Sequence, residues 1–272
     1  MTTNALNIDE KLAASLAGWG IKYLFSIDGY GERHNKSRPS ITHPKPFDHL
    51  AGIFPMLKKY QNYIPARMTI LPKQVTWLDH DLKKLTEMGF DSFTISPATG
   101  VIWSEENLRR FVDAMAGFTV HRTLRDGKPF PYMSPLDDPD PGKSGLGCSA
   151  GRGRYSIDPL GKIFGCGRLT SLSDEQGLPF GDIFSGIDPK GNITLFQDET
   201  YASRLECLDC FLREKCIGGC AAVNFETTGS LVTPAPDQCR FAKAFESIKM
   251  ETQQGRRALR NVVKPQSMGG KE

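Results

Sequence analysis

The residues best suited to chemistry are seven cysteines, all in the second half of the chain. Four of them fall within fourteen residues, in the stretch CLDCFLREKCIGGC at 207–220. Thiols this close together can form disulfides, bind zinc or hold an iron–sulfur cluster. The complete set is Cys148, Cys166, Cys207, Cys210, Cys216, Cys220 and Cys239.

The count and spacing of the cysteines separate these three possibilities. An odd number of cysteines, behind a polar N-terminus that is not a secretory signal, argues against disulfides. One tetrahedral zinc ion takes four ligands and would leave three cysteines over. Iron–sulfur cubes take four thiolates each, so two cubes and seven cysteines require one non-cysteine ligand or one open iron. The short C-x2-C and C-x3-C loops favour clusters, while zinc stays open as an alternative.

The composition narrows the location and the partners. The 272 residues include 34 basic and 31 acidic side chains, a net charge of +3 that is too balanced for nucleic-acid binding. No apolar run approaches the roughly 20 residues of a membrane helix. We therefore predict a cytoplasmic protein, in a compartment that keeps thiols reduced, with no membrane or nucleic-acid partner.

The first half of the chain alternates strand-like and helix-like segments. Strand patterns occur in IKYLFSIDG, ARMTILP and DSFTISPATG, and amphipathic helix patterns lie between and after them, the last with Ser104 as its N-cap. Such alternation predicts an α/β fold with a parallel sheet, whose functional site lies at the carboxyl ends of the strands. Three strand–helix pairs are too few to close a barrel.

The amino-acid composition changes near residue 131, and this change sets the predicted domain boundaries. Residues 1–130 form the α/β part, and residues 131–145 are dense in Pro, Gly and Asp and predict a linker. Residues 146–250 form a cysteine-rich domain with short strands, a hairpin at DPLGK and a C-terminal helix. Residues 251–272 are expected to be a flexible basic tail.

The cysteine pattern with Gly161, C-x12-G-x4-C followed by C-x2-C-x5-C-x3-C and a last cysteine, resembles the SPASM domain of radical S-adenosylmethionine (SAM) enzymes. The resemblance implies two auxiliary [4Fe–4S] clusters. One would be held by Cys207, Cys210, Cys216 and Cys239. The other would be held by Cys148, Cys166 and Cys220, with an open iron or another side chain completing it.

The stretch FSIDGYGERHNKSRP resembles the fourth strand of the radical SAM barrel in members that modify peptides and proteins. Ser26 and Arg38 match positions that contact SAM there, and an arginine can pair the SAM carboxylate through two hydrogen bonds. Asp28 is interpreted as a cap for the turn before Gly29. The resemblance thus implies an incomplete partial (β/α) barrel followed by a small cysteine-rich SPASM domain.

The resemblance also implies an activity. We expect an oxidoreductase-like enzyme that modifies a peptide or protein, with SAM as cofactor and a flavodoxin or ferredoxin-like electron donor. The family's C-x3-C-x2-C loop has no counterpart, since no cysteine precedes Cys148. We therefore expect an N-terminally truncated portion of such an enzyme, with an incomplete SAM site and no competence alone. A non-catalytic iron–sulfur electron-transfer protein and a zinc-binding interaction module are the alternatives.

One position narrows the substrate. Sulfatase-maturating members of the family have an aspartate base after the second SPASM cysteine, whereas Gly167 follows Cys166 here. The resemblance therefore favours another peptide or protein substrate.

Overall fold

The computed structural model describes residues 1–123, 132–134, 150–151, 153–172, 177–197, 205–213, 216 and 218–262. The chain divides into two compact units. The first contains residues 1–138 together with 245–272, and the second contains residues 139–244. The first boundary falls within the segment 131–145 that we expected to be a linker, and the C-terminal residues 245–272 group with the first unit.

The first unit is built on a sheet of five parallel strands, which lie side by side in chain order. This arrangement confirms the predicted α/β class with a parallel sheet. The strands are β1 (Thr2–Thr3), β2 (Leu24–Ser26), β3 (Pro65–Ile70), β4 (Ser92–Pro97) and β5 (Tyr132–Ser134). We expected β5 to be part of the linker. Its three residues pair in parallel with β4, and a strand this short gives no readable period in the sequence.

Helices follow the strands of the first unit, and two of them begin at a side-chain cap. Asp9 caps the first helix by accepting from the backbone N–H of Leu12, and Ser104 accepts from Asn107 as predicted. The helices are α1 (Glu10–Gly18), α2 (Glu32–Ser37), α3 (Pro46–Tyr60), a 3-10 turn (Pro72–Trp77), α4 (Leu78–Met88) and α5 (Glu105–Thr123).

Aromatic side chains fill the space between the sheet and its helices. Phe25 of β2 contacts the ring of Phe90, which contacts Phe93 of β4, and Phe93 meets Phe118 of α5 edge to face. All four rings are almost completely buried. This core fixes the strand ends that carry the predicted site residues of the first unit.

The second unit contains a four-stranded antiparallel sheet, β6 (Ser156–Ile157), β7 (Lys162–Phe164), β8 (Gly181–Asp182) and β9 (Gly186–Ile187). The predicted hairpin joins β6 to β7. The carboxylate of Asp158 accepts from the backbone N–H groups of Leu160 and Lys162 across its turn. Gly161 completes the turn with a φ of 85°, and its N–H donates to the carbonyl of Asp158.

Helices complete the description of the second unit and the C-terminus. They are α6 (Ile193–Gln197), α7 (Leu205–Leu208), α8 (Ala221–Thr228) and α9 (Pro236–Val262). The last helix continues past residue 250, so the first part of the expected tail is helical, since Glu, Gln, Arg, Ala and Leu favour helix there. Among the described helices none combines the length and apolar character needed to cross a bilayer.

Candidate functional site

Four cysteines of the second unit line one cavity of about 170 Å³. They are Cys207, Cys210, Cys216 and Cys239, the set that the resemblance implied for one cluster. The cavity is comparable in size with an engineered cavity of about 150 Å³ that admits benzene. It therefore has room for a compact group beside the four cysteines.

Short backbone hydrogen bonds shape the loop that carries the first three of these thiols. The N–H of Cys210 donates to the carbonyl of Cys207 at 3.2 Å, and the N–H of Cys216 donates to the carbonyl of Leu212 at 2.7 Å. The Leu212 side chain is buried and anchors the loop. Cys239 approaches from α9, whose first turn begins at Pro236. Two separate segments therefore supply the donor set.

A glycine backbone contributes directly at one sulfur atom. The N–H of Gly218 donates to Sγ of Cys216 at 3.3 Å. The φ of Gly218 is 73°, a conformation that favours glycine. Glycine therefore lets the backbone approach the sulfur atom of Cys216 at this position.

Asn224 of α8 ties the elements around the cavity together. Its side-chain amide donates to the carbonyls of Gly218 and Leu231, at 2.7 and 3.2 Å. Its carbonyl oxygen accepts from the N–H of Ala235 at 2.9 Å, at the start of the helix that carries Cys239. The side chain is almost completely buried. Asn224 thus fixes the glycine loop relative to the fourth cysteine.

The pKa of Cys239 reflects its burial and the other thiols that line the cavity. Burial raises the pKa of Cys239 above its ordinary value, and the neighbouring Cys216 and Cys207 raise it further. Lys243, which also lines the cavity, opposes this shift. Four thiolates in one cavity would repel each other, so the site favours a bound group that carries positive charge.

The spacing of the thiols bears on which group fits. Tetrahedral zinc holds each sulfur at about 2.3 Å, which requires the donors to converge on one point. Within the described residues no three His, Cys, Asp or Glu side chains converge closely enough to hold a single metal ion. An iron–sulfur cube spreads its four thiolates around a larger body.

The remaining described cysteines lie apart from this cavity. Cys220 is exposed and is the N-cap of α8, and Cys166 follows β7 and packs against the hydrophobic core of the second unit. Both act electrostatically on the guanidinium of Arg168. Cys148, the third cysteine assigned with them, lies outside the described residues. All six described cysteines are free thiols.

Ser26 and Arg38 lie near the carboxyl end of β2 in the first unit, where a parallel sheet places its sites. Ser26 is the last residue of β2 and is buried. Arg38 follows α2, and its Nε lies 2.6 Å from Oδ2 of Asp28 in an ion pair. About a third of the Arg38 side chain is exposed. The guanidinium is therefore oriented by a carboxylate while part of it remains accessible.

Asp28 forms contacts beyond the local turn that we expected it to cap. Its Oδ1 accepts from the N–H of Thr69 in β3 at 2.7 Å, and its carbonyl accepts from the amide of Gln74 at 2.8 Å. Its own N–H donates to Nδ1 of His34 at 3.2 Å. Asp28 thus joins the ends of two strands and holds Arg38 in place.

His34 is the buried neighbour of this network, with 3% of its surface exposed. Burial lowers its pKa from 6.5 to about 4, the carboxylate of Asp28 opposes the shift, and Arg38 adds to it. His34 is neutral at pH 7 and accepts at Nδ1, so its proton resides on Nε2.

Sequence reasoning grouped the four cysteines that line the cavity but missed the residues that position them. Asn224 reads as one polar residue inside a short helix, and Arg168 as a surface charge. Both follow a cysteine within four residues. A polar side chain so close to a ligand is the signal that could have been used.

No protein-family model and no curated protein matches the chain. Solved structures do match, among them those of anSMEcpe, a radical SAM/SPASM anaerobic sulfatase-maturating enzyme. The form with bound AdoMet has a TM-score of 0.70 at 16% identity, over 97% of this chain and 75% of the other. The form with bound AdoMet and Cp18Cys peptide has a TM-score of 0.73 at 17% identity, over 97% and 76%. At this identity the likeness establishes the fold.

Proposed function

We propose that this chain provides the partial barrel and the cluster-binding SPASM domain of a radical SAM enzyme that modifies a peptide or protein. The observation that carries the proposal is the cavity lined by Cys207, Cys210, Cys216 and Cys239. The likeness to anSMEcpe in fold supports it. One [4Fe–4S] cluster is held by these four thiolates, and a second by Cys148, Cys166 and Cys220.

The residues of the chain prepare the first cluster site before any metal binds. Leu212 and Asn224 hold the two cysteine-bearing segments, and the N–H of Gly218 directs a hydrogen bond at one sulfur. Such hydrogen bonds and nearby cations set the reduction potential of a cluster. When bound, the clusters supply one-electron redox chemistry. The chain itself supplies thiolates, hydrogen bonds and the positive charge of Lys243.

In the first unit we propose that Ser26 and Arg38 contribute to a SAM site at the strand ends. The bound AdoMet of the anSMEcpe structures supports this cofactor. Arg38 is suited to the SAM carboxylate because Asp28 orients its guanidinium and part of the side chain is exposed. The electron donor is a flavodoxin or ferredoxin-like protein, and the substrate is a peptide or protein, as the peptide complexes support.

The substrate chemistry is proposed to differ from sulfatase maturation. Gly167 offers no carboxylate after Cys166. A Cβ at this position would meet only the hydroxyl of Ser156, at 3.6 Å, so lack of space does not explain why glycine occupies it. The chain also has no cysteine before Cys148, so we expect no 5′-deoxyadenosine from the purified, reconstituted chain with dithionite. Production of that nucleoside would contradict this expectation.

Anaerobic purification with iron and sulfide analysis tests the proposal. Two clusters give about eight iron atoms per chain and a brown protein. A colourless protein that holds zinc would instead support the interaction module. Retention of both clusters without SAM binding would support the electron-transfer alternative.

Pairs of substitutions test which cysteines share a cluster. Cys239→Ala and Cys207→Ala each lose about four irons, and their combination also loses about four, because both remove the same cluster. Cys239→Ala combined with Cys220→Ala loses about eight, because the two cysteines belong to different clusters. Equal losses for the two combinations would refute the assignment.

A further inference from the structure

The described structure contains a charged pair beside the two cysteines that lie outside the four-thiol cavity. Nε of Arg168 donates to Oε1 of Glu226 at 2.6 Å, and its Nη2 donates to Oε2 at 2.5 Å. One edge of the guanidinium is therefore held by the carboxylate in a fixed fork, which restricts the orientation of the arginine more than a single contact would.

The backbone fixes Arg168 relative to Cys166. The N–H of Leu169 donates to the carbonyl of Cys166 at 3.1 Å and closes a turn around the intervening residues. The Leu169 side chain is fully buried in the core of the second unit. Arg168 therefore cannot move independently of the cysteine two positions earlier.

The other partner is fixed relative to Cys220. Glu226 lies in α8, and Cys220 is the N-cap of that helix, with its carbonyl accepting from the N–H of Asn224 at 2.8 Å. The ion pair thus connects the segment after Cys166 to the helix that begins at Cys220. It is a bond between two cysteine-bearing segments that are far apart in sequence.

Glu226, Cys220 and Cys166 are the anionic neighbours of Arg168. Its pKa lies above the ordinary value chiefly because of the hydrogen bonds to Glu226, and Cys220 and Cys166 shift it in the same direction. The carboxylate of Glu226 is thus the main partner of Arg168, and the two sulfur atoms contribute less.

We propose that Arg168 is a positioning residue for Cys166 and Cys220, and that its guanidinium, oriented by Glu226, compensates the negative charge of their thiolates. The inference rests on the proposed function, in which these two cysteines bind one cluster. A fixed cation stabilises the reduced, more negative state of a cluster. Glu226 partly offsets that cation while holding it in place.

Redox titration of the anaerobically reconstituted chain, followed by electron paramagnetic resonance, tests the proposal. Arg168→Met is expected to lower the potential of one cluster, with about a tenfold change in its one-electron equilibrium, about 59 mV. Glu226→Gln, which removes the opposing charge, is expected to raise it. Arg168→Lys keeps the charge and is expected to stay near the wild-type potential.

Two controls show which cluster shifts in potential and whether the shift is specific to Arg168. Signals that remain in Cys239→Ala belong to the cluster of Cys166 and Cys220, and the other cluster should not shift in the arginine variants. Arg110→Met removes a comparable exposed ion pair with Glu106 in the first unit and should leave both potentials unchanged.

The outcomes separate this inference from the proposed function. A wild-type chain that binds no iron overturns the proposed function. Two clusters with unshifted potentials in Arg168→Met overturn the inference alone. Shifts of the same sign in Arg168→Met and Glu226→Gln also overturn it, because they indicate a mechanical link without charge compensation. If Arg168→Met loses one cluster, retention of that cluster by Arg168→Lys supports the proposal, and its loss overturns it.

Discussion

Lowering the pH is expected to destabilise the first unit through one buried imidazole, that of His34. The folded protein keeps this side chain neutral, with its pKa lowered from 6.5 to about 4 mainly by burial. The unfolded chain takes up the proton near the ordinary value. Because the unfolded state binds the proton first, stability is greatest above the ordinary pKa and falls as the pH drops toward the folded value.

The size of the effect follows from the difference between the two pKa values. Protonation of the unfolded state alone removes about 2 kcal/mol of unfolding free energy between about pH 8 and about pH 5, and about 3 kcal/mol once the pH is below both values. The structural consequence is local. A proton on Nδ1 removes the acceptor for the N–H of Asp28, and Asp28 orients Arg38.

Urea unfolding followed by tryptophan fluorescence measures this loss. All three tryptophans of the chain, at positions 19, 77 and 103, lie in the first unit, so the signal follows that unit. The informative variant is His34→Asn, whose side-chain oxygen can accept the same N–H but does not titrate. The variant should lose about 2 kcal/mol less than wild type between about pH 8 and about pH 5.

The comparison rests on the pH dependence and not on absolute stability, because the smaller Asn side chain destabilises the core at every pH. Equal losses in wild type and His34→Asn would show that the buried imidazole is not the group responsible.

Three further substitutions have expected outcomes. Asn224→Ala removes three buried hydrogen bonds and should lower the free energy of unfolding by about 3 kcal/mol. The variant should also lose iron to a chelator faster than wild type, and unchanged iron retention would contradict the positioning role of Asn224. Gly181→Ala places a Cβ 2.0 Å from a backbone oxygen and should unfold the small sheet, which circular dichroism would detect. Gly186→Ala places its Cβ in open space at φ 82° and should lower the free energy of unfolding by about 1 kcal/mol. Similar effects of the two variants would refute the steric argument. Arg38→Met leaves a buried carboxylate without its cation and should cost about 2 kcal/mol in urea unfolding, against less than about 0.5 kcal/mol for exposed Arg110→Met.

The regular elements of the first unit could be predicted from the sequence because their signals are local. The apolar period of FDHLAGIFPMLKKY predicts α3, and the hydroxyl of Ser104 predicts the start of α5. The strand β5 could not be predicted, since three residues carry no period. The resemblance that the cysteine pattern carries likewise grouped four thiols that line one cavity.

The positioning residues could not be predicted because their partners are distant in sequence. Asp28 accepts from Thr69, which is 41 positions away, and the turn next to Asp28 suggested a local role instead. Arg168 pairs with Glu226 across 58 positions, and no periodicity links such residues. Only the folded backbone brings them together, so their roles follow from the structure.

Gly161 gives the cysteine pattern a meaning that the cysteines alone do not have. It is the one member of the pattern without a thiol, and it occupies a turn between two antiparallel strands with a φ of 85°. The pattern therefore combines two independent requirements, one for ligand chemistry and one for backbone geometry. A designer who transplanted only the seven cysteines into another scaffold would carry over the donors without the hairpin between the first two. The glycine is the part of the pattern that specifies backbone geometry, which the cysteines do not specify.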